Sequence, residues 1–334
     1  MLNTLKFLSL ILVFPWLLLR KDEPIREFKI NGLAQGTSYS ISYFAKDSLV
    51  TKAQVDHILD QIDSSMSLYK NYSTITKFNQ SASGVKLDDH FVRVVKRSFE
   101  IYQDSGGLFD ITVAPLVQYW GFGPKSTQDH TETIASILPN IGMNLLTLKG
   151  NFLSKKKPGV HIDVNGIAQG YSVDVVADFF LKNGVTIFVI EIGGELRVNG
   201  TKPNGTLMRI GIEGPSSNQF AEPTIQHAVS FKSGAITTSG NYRKYLMTGT
   251  KKISHLIDPK SGYPLDNEMI SVTVFAKDAI TADGYDNVLM AMHVKEALAF
   301  VAARKSLEAY IIYKKPDGKL ADTTSTGFRK LMVN

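Results

Sequence analysis

The 334-residue chain contains no cysteine. That absence excludes disulfides, thiolate metal sites, a cysteine nucleophile and a lipid anchor on an N-terminal cysteine. Long runs of one charge are missing too. The chain carries a formal +6 with a pI near 9.1, but its basic residues are scattered, and Lys155-Lys156-Lys157 is the only lysine triplet. The triplet reads as a solvated turn and nothing resembles a nucleic-acid footprint, so no nucleic-acid partner is expected. No internal repeat, low-complexity tract or long structureless linker interrupts the chain.

What is present is a globular composition, 43% hydrophobic and 20% charged. A chain of this size can bury a large core, and two closely joined lobes are expected. At the start, Lys6 precedes the apolar run Phe7 to Leu19, followed by Arg20, Lys21 and Asp22. That run has the length of a signal-peptide core and is short for a spanning helix. No small-x-small cleavage pattern follows, and Pro15 and Trp16 suit an interfacial segment, so residues 1–20 read first as a signal-anchor and second as a removed signal peptide. Residues 21–30 read as a tether, and residues 31–334 as the folded domain.

Phe28 to Ile30 and Ser38 to Phe44 read as paired strands around a turn at Gly32 to Gly36. Val55, Ile58, Leu59, Ile62 and Met66 recur at helical spacing, and Val92 to Tyr102 repeats the pattern before Ser105-Gly106-Gly107 stops it. A helix is expected from Gln169 to Asn183. Short strands follow at Ile187 to Ile192, Glu195 to Val198, Leu207 to Ile212, His227 to Phe231, Tyr245 to Met247 and Ser254 to Ile257. A strand at Ser271 to Phe275, helices from about Ala279 to Met292 and on to Ala303, and a strand at Ala309 to Tyr313 complete the pattern. The class is α+β, with mixed or antiparallel sheets, flanking helices and a ligand cleft between the lobes.

Three segments carry candidate chemistry. Asp283, Asp286 and Asn287 fall at helical spacings of three and four, which gathers two carboxylates and an amide oxygen into a hard-oxygen set suited to Mg²⁺. Acids near the positive end of a helix are the plain alternative. Asp163 to Gly170 reads as a strand end, a turn and a helix start; positive φ at Asn165 and Gly166 would aim helix N–H groups at an anion. His255, on a strand entering the Pro259 to Gly262 turn, suits a general base, or else a hydrogen-bonded strand histidine. Tyr69, Gly107 to Thr112 and Tyr119 to Gly123 mix aromatics with polar tips, as a wall for a planar heterocycle or as ordinary core. Ser73, Ser239 and Gly193-Gly194 are ordinary turn residues when taken singly.

In order, the segments Gln35-Gly36-Thr37, Met66 to Tyr69 with Ser73 and Phe78-Asn79, Gly107 to Val113, Trp120 to Gly123, Asp163 to Asp174, Ile192 to Glu195, Thr238 to Gly240, His255 to Gly262 and Ala282 to Asn287 resemble the ApbE family of FAD:protein FMN transferases. The resemblance implies FAD as substrate and Mg²⁺ at its pyrophosphate, held by the Gly166 carbonyl and the side chains of Asp283, Asp286 and Asn287. It implies that Tyr69 packs on the flavin and that Gln35, Leu108, Phe109, Asp110, Asp163, Gln169 and Ile257 bind the cofactor. His255 and Asp283 would be catalytic, with His255 taking the proton of a threonine hydroxyl on an acceptor flavoprotein, such as a redox-pump subunit, as AMP leaves. It further implies an exported bacterial protein at the periplasmic face of the inner membrane, held by its N-terminal segment. Two positions depart from the family pattern: Asn287 stands where threonine is usual, and Gln169 where lysine or glutamate is usual. Two other readings stay open, a metal-dependent FAD pyrophosphatase giving FMN and AMP, and a membrane-tethered FAD-binding protein without turnover. An aromatic cover at Tyr69 would disfavour the hydrolase by restricting water.

Overall fold

The computed structural model describes residues 23–124, 132–215, 224–242, 245–248 and 251–333. The leader expected at residues 1–20 lies outside them. Among the described residues no helix is long and apolar enough to cross a membrane. The first strand, Arg26–Ala34, opens inside the stretch read as a tether and turns back through Gln35 and Gly36 into Thr37–Ala45. Gln35 holds φ at 54°, so the turn is tighter than the Gly32 to Gly36 span suggested.

An eight-stranded sheet organises the molecule. Its order is Arg26–Ala34, Thr37–Ala45, Phe188–Ile192, Glu195–Asn199, Ser233–Gly240, Met269–Ala276, Glu308–Lys314 and Leu320–Thr324, each pair antiparallel. Period-2 alternation sends neighbouring residues to opposite faces. Val272, Val274, Ala309 and Ile311 enter one core, and Ile236, Tyr310 and Ile312 enter another. The helices Lys52–Met66, Asp89–Asp104, Ala168–Lys182 and Ala279–Met290 cover the first face. A three-stranded sheet, Met208–Glu213 with Ile225–Phe231 and Met332–Val333, and the short helix carrying Phe328 close the second.

Ser233–Gly240 escapes a reading by pattern. It is a central strand covered on both faces, so Gly234 to Thr237 are buried in succession and no polar-apolar alternation marks it. The lysine triplet also differs from expectation. Lys155 ends the strand Phe152–Lys155 and is buried, with its ammonium donating to the Val160 carbonyl at 2.9 Å and lying 5.0 Å from the Phe78 ring centre. Lys156 and Lys157 alone are solvated.

Two helices far apart in sequence set the position of the candidate site. Ala168–Lys182 and Ala279–Met290 pack so closely that a Cβ on Gly170 would lie 2.4 Å from the Ala279 carbonyl oxygen and 2.7 Å from Asp283 Cβ. Their contacts step one turn at a time in opposite directions: Gly170 meets Asp283, and Asp174 meets Ala279. Small residues are needed here because two backbones approach each other. Gly170→Ala is expected to cost about 2–3 kcal/mol through forced separation of the helices, although alanine is the better helix former. Denaturant unfolding checks this; a variant as stable as wild type would contradict it.

Candidate functional site

Asp283 and Asp286 project from Ala279–Met290, started by the Asp278 side chain accepting from Thr281 N at 3.1 Å. Both carboxylates are buried. One oxygen of Asp283 accepts from Gly170 N at 2.8 Å, in the first turn of the facing helix. One oxygen of Asp286 accepts from Thr237 Oγ1 at 2.7 Å, from the central strand, and the other from Asn287 Nδ2 at 2.9 Å. Burial pushes Asp283 up to about 7, with the Asp174 charge adding to the rise and the Gly170 N–H opposing it. Asp286 is raised well above the carboxylate range, first by burial and then by the charge of Asp283, with Glu195 adding further.

The charges that raise the pair are acids, and among the described residues no lysine or arginine donates to either carboxylate. The Asn287 amide partly fills that role. Its Nδ2 donates toward the Gly166 carbonyl at 3.3 Å, the Asp283 carbonyl at 3.0 Å and the Asp286 carboxylate. Three oxygens from two distant segments thus converge on one donor. With the amide turned over, Asn287 Oδ1 would join them as a hard-oxygen set that a divalent cation could use. No group of three or more His, Cys, Asp or Glu side chains arranged for a metal occurs among the described residues. The set here is two carboxylates, a backbone carbonyl and an amide.

Gly166 reaches this point for a different reason than its sequence suggests. Neither Asn165 nor Gly166 adopts a positive φ, and the segment before them is not a strand. Asn79 holds the segment instead: its amide accepts from Ile162 N at 2.8 Å and donates to the Ile162 carbonyl at 2.9 Å. Asp163 N then donates to the Ile111 carbonyl at 2.8 Å, while the Asp163 carboxylate accepts from Asn165 N at 2.8 Å. Of the helix-start N–H groups expected to face an anion, that of Gly170 is given to Asp283.

The remaining candidates divide by what they touch. Phe109 is buried, and its ring edge lies 3.6 Å from where a Cβ on Gly166 would stand. Leu108 beside it is half-buried. Asp110 uses its carboxylate to fold its own loop, accepting from Thr112 N at 2.7 Å, Thr112 Oγ1 at 2.6 Å and Met143 N at 3.2 Å. Gln169 donates to the Ile192 carbonyl at 3.0 Å, and Gln35 to Ser172 Oγ at 2.9 Å, so both tie strands to the helix. Tyr69 is 70% exposed, with its ring open to solvent.

His255 lies in a bend just past the strand Lys251–Ser254 rather than on a strand. Its ring meets Phe122 edge-on at 6.2 Å. Ile257 forms a lone bridge to Pro264, and Trp120 Nε1 donates to the Gly262 carbonyl at 2.8 Å, which pins this loop to the aromatic segment. Ser73 is the cap of a helix not expected from the sequence, Thr74–Gln80. An open cavity of about 530 Å³ lies elsewhere, between Arg93, Arg97, Arg197 and Lys277, and no expected cofactor-binding residue lines it.

Thr237 was not singled out from the sequence, and Asn79 and Asp174 were given no role of their own there. Asn79 and Asp174 lie within the matched segments, and an aspartate flanked by Val173 and Val175 in an apolar helix is itself a signal, since buried carboxylates need partners.

Residues 35–311 match the model of the ApbE family. An FAD:protein FMN transferase of Vibrio cholerae serotype O1 is 34% identical over 320 residues, spanning 93% of this chain and 94% of that protein. The Escherichia coli K12 protein of the same description is 32% identical over 300 residues, 86% of this chain and 84% of its own length. Among solved structures, the flavin transferase ApbE from Vibrio cholerae superposes with a TM-score of 0.81 at 33% identity, over 92% of this chain and all of that one. The apo flavinyl transferase ApbE of Pseudomonas stutzeri gives 0.80 at 30% identity, covering 92% of this chain and 97% of its own. With more than half of its length matched by the family model, and with these relatives spanning nearly all of it, the chain belongs to the ApbE family.

Proposed function

We infer that the protein is an FAD:protein FMN transferase that moves FMN from FAD to a threonine hydroxyl of an acceptor flavoprotein and releases AMP. The observation that carries this reading is the buried pair Asp283 and Asp286 set against the Gly166 carbonyl, with Asp174 and Glu195 as further acids beside them. Such a pair suits a cation that in turn suits a diphosphate. Gly166, Asp283, Asp286 and Asn287 would hold Mg²⁺, which when bound would neutralise charge on the phosphate oxygens.

Transfer forms one bond from the acceptor threonine oxygen to the FMN phosphorus and breaks the bond from that phosphorus to the bridging oxygen, which leaves on AMP. His255 is the base that accepts the threonine proton. The nucleophile belongs to the acceptor, so this chain supplies position and charge. Phe109, Leu108, Asp163, Ile257 and Gln169 line the flavin side, and Gln35 and Asp110 act by fixing the loops behind them. The relatives compared are bacterial, and the apolar run Phe7 to Leu19 supports an export or anchoring role for residues 1–20.

The exposure of Tyr69 keeps one second reading, FAD hydrolysis to FMN and AMP with water in place of the threonine hydroxyl. Incubation with FAD, Mg²⁺ and a threonine-bearing acceptor domain separates the two. Transfer predicts one FMN phosphoester added to the acceptor mass and AMP in equal amount, whereas AMP released at the same rate without acceptor would support hydrolysis. Asp283→Asn is expected to lower metal-dependent turnover by roughly 10²-fold or more, and His255→Ala to slow transfer by roughly 10²–10⁴-fold with FAD affinity kept. Full activity in both variants would reject the assignment.

The raised carboxylates also fix a pH dependence. Their folded-state values lie above their unfolded ones, so they favour the fold below the unfolded value of 3.8, and for Asp283 that contribution is lost as pH rises through about 7. The metal-free protein should therefore melt lower as pH climbs across this window. Mg²⁺, which competes with the protons, should raise the melting temperature more above about pH 7 than near pH 5. A Mg²⁺ effect independent of pH in thermal melts would contradict the ligand assignment.

A further inference from the structure

The contacts between the two central segments form a regular ladder. Asn287 Nδ2 meets the Gly166 carbonyl, Gly170 N meets Asp283, and Ala279 N meets Asp174. Each rung moves four residues forward in the first segment and four back in the second, one helical turn per rung. The first rung joins two candidate cation ligands and the second contains one, Asp283. The third contains none, yet its carboxylate is more heavily tied than that of Asp283.

Asp174 is buried, with one oxygen accepting from Ala279 N at 3.0 Å and from Arg197 at 2.9 Å, and the other from Ile280 N at 2.8 Å. Helix initiation does not require it, because Asp278 already caps the same helix through Thr281 N. An added acceptor from 105 residues away in sequence contributes position rather than helix formation. Arg197, on the strand Glu195–Asn199, ties the carboxylate to the sheet as well, so helix, helix and sheet meet at one side chain.

We propose that Asp174 is a positioning residue for the cation site: by anchoring the first turn of the helix that carries Asp283, Asp286 and Asn287, it sets the register of that helix against Gly166 and hence the gap into which the ion fits. The proposal rests on the cation reading given above and goes beyond it, since Asp174 touches no ligand atom. Residues behind metal ligands usually shift affinity by about 10–100-fold when changed.

The test is binding of Mn²⁺ alone, followed by electron paramagnetic resonance, to the full chain and its variants. Asp174→Asn keeps the side-chain shape but cannot accept from both N–H groups and the guanidinium. It is expected to raise the Mn²⁺ midpoint about tenfold or more and to broaden the bound-ion spectrum. Asp178→Asn removes the other, exposed partner of Arg197 without touching the helix N–H groups, and is expected to match wild type. If Asp174→Asn does not fold, Arg197→Gln carries the test, with an expected rise of about threefold. Wild-type Mn²⁺ binding in Asp174→Asn or, should that variant not fold, in Arg197→Gln would overturn the positioning role alone, as would an equal shift in Asp178→Asn. Failure of the wild-type chain to bind Mn²⁺ would overturn the cation site itself.

Discussion

The register between two antiparallel helical segments is the constraint on which the site depends. Gly166, Gly170 and Asp174 on one side face Asn287, Asp283 and Ala279 on the other, and the spacing of four on both sides keeps the contacts on one stripe of each helix. Gly170 is what lets the stripes meet, because any side chain there would strike backbone. Moving one helix by a single residue would rotate the carboxylates by about 100° away from the Gly166 carbonyl. The fold therefore builds its chemistry from a packing decision: small residues bring the backbones together, and acids placed at that contact become buried.

Burial is costly for those acids. For Asp283 the change from 3.8 to about 7 corresponds to on the order of 4 kcal/mol against the ionised form. The fold tolerates this by hydrogen bonds from Gly170, Thr237 and Asn287 rather than by a basic residue. A lysine or arginine at this point would relieve the charge and block an exogenous cation. Leaving the charge unrelieved suits the site to an added cation, which is what the proposed transfer would use when a diphosphate is bound.

Much of this was legible in the sequence, because periodicity reports burial. The helices at Val55 to Met66 and Val92 to Tyr102 show their apolar faces directly, and Asp283 with Asn287 announces its shared face by spacing alone. Other features depend on partners remote in sequence. The central strand Ser233–Gly240 is covered on both sides and loses its alternation. Lys155 looks solvated among three lysines until the Val160 carbonyl and Phe78 are brought to it. Gly166 was expected to need a positive φ, whereas Asn79 shapes that turn from 83 residues away. Asp110 reads as a ligand contact in its motif, and its oxygens also accept from Thr112 and Met143 to hold the loop, which its motif does not show. Asp174 was visible only as an acid in an apolar helix, and its role became clear once Ala279 was seen to lie against it.

The central claim is that segments 166–170 and 283–287 share one cation. Anomalous diffraction from crystals of the full chain grown with FAD and Mn²⁺ tests it most directly. One manganese peak bonded to the Gly166 carbonyl, Asp283, Asp286 and the Asn287 amide oxygen, and touching the FAD diphosphate, is the predicted result. A peak held by other residues, or FAD bound with its diphosphate away from these two segments, would contradict it.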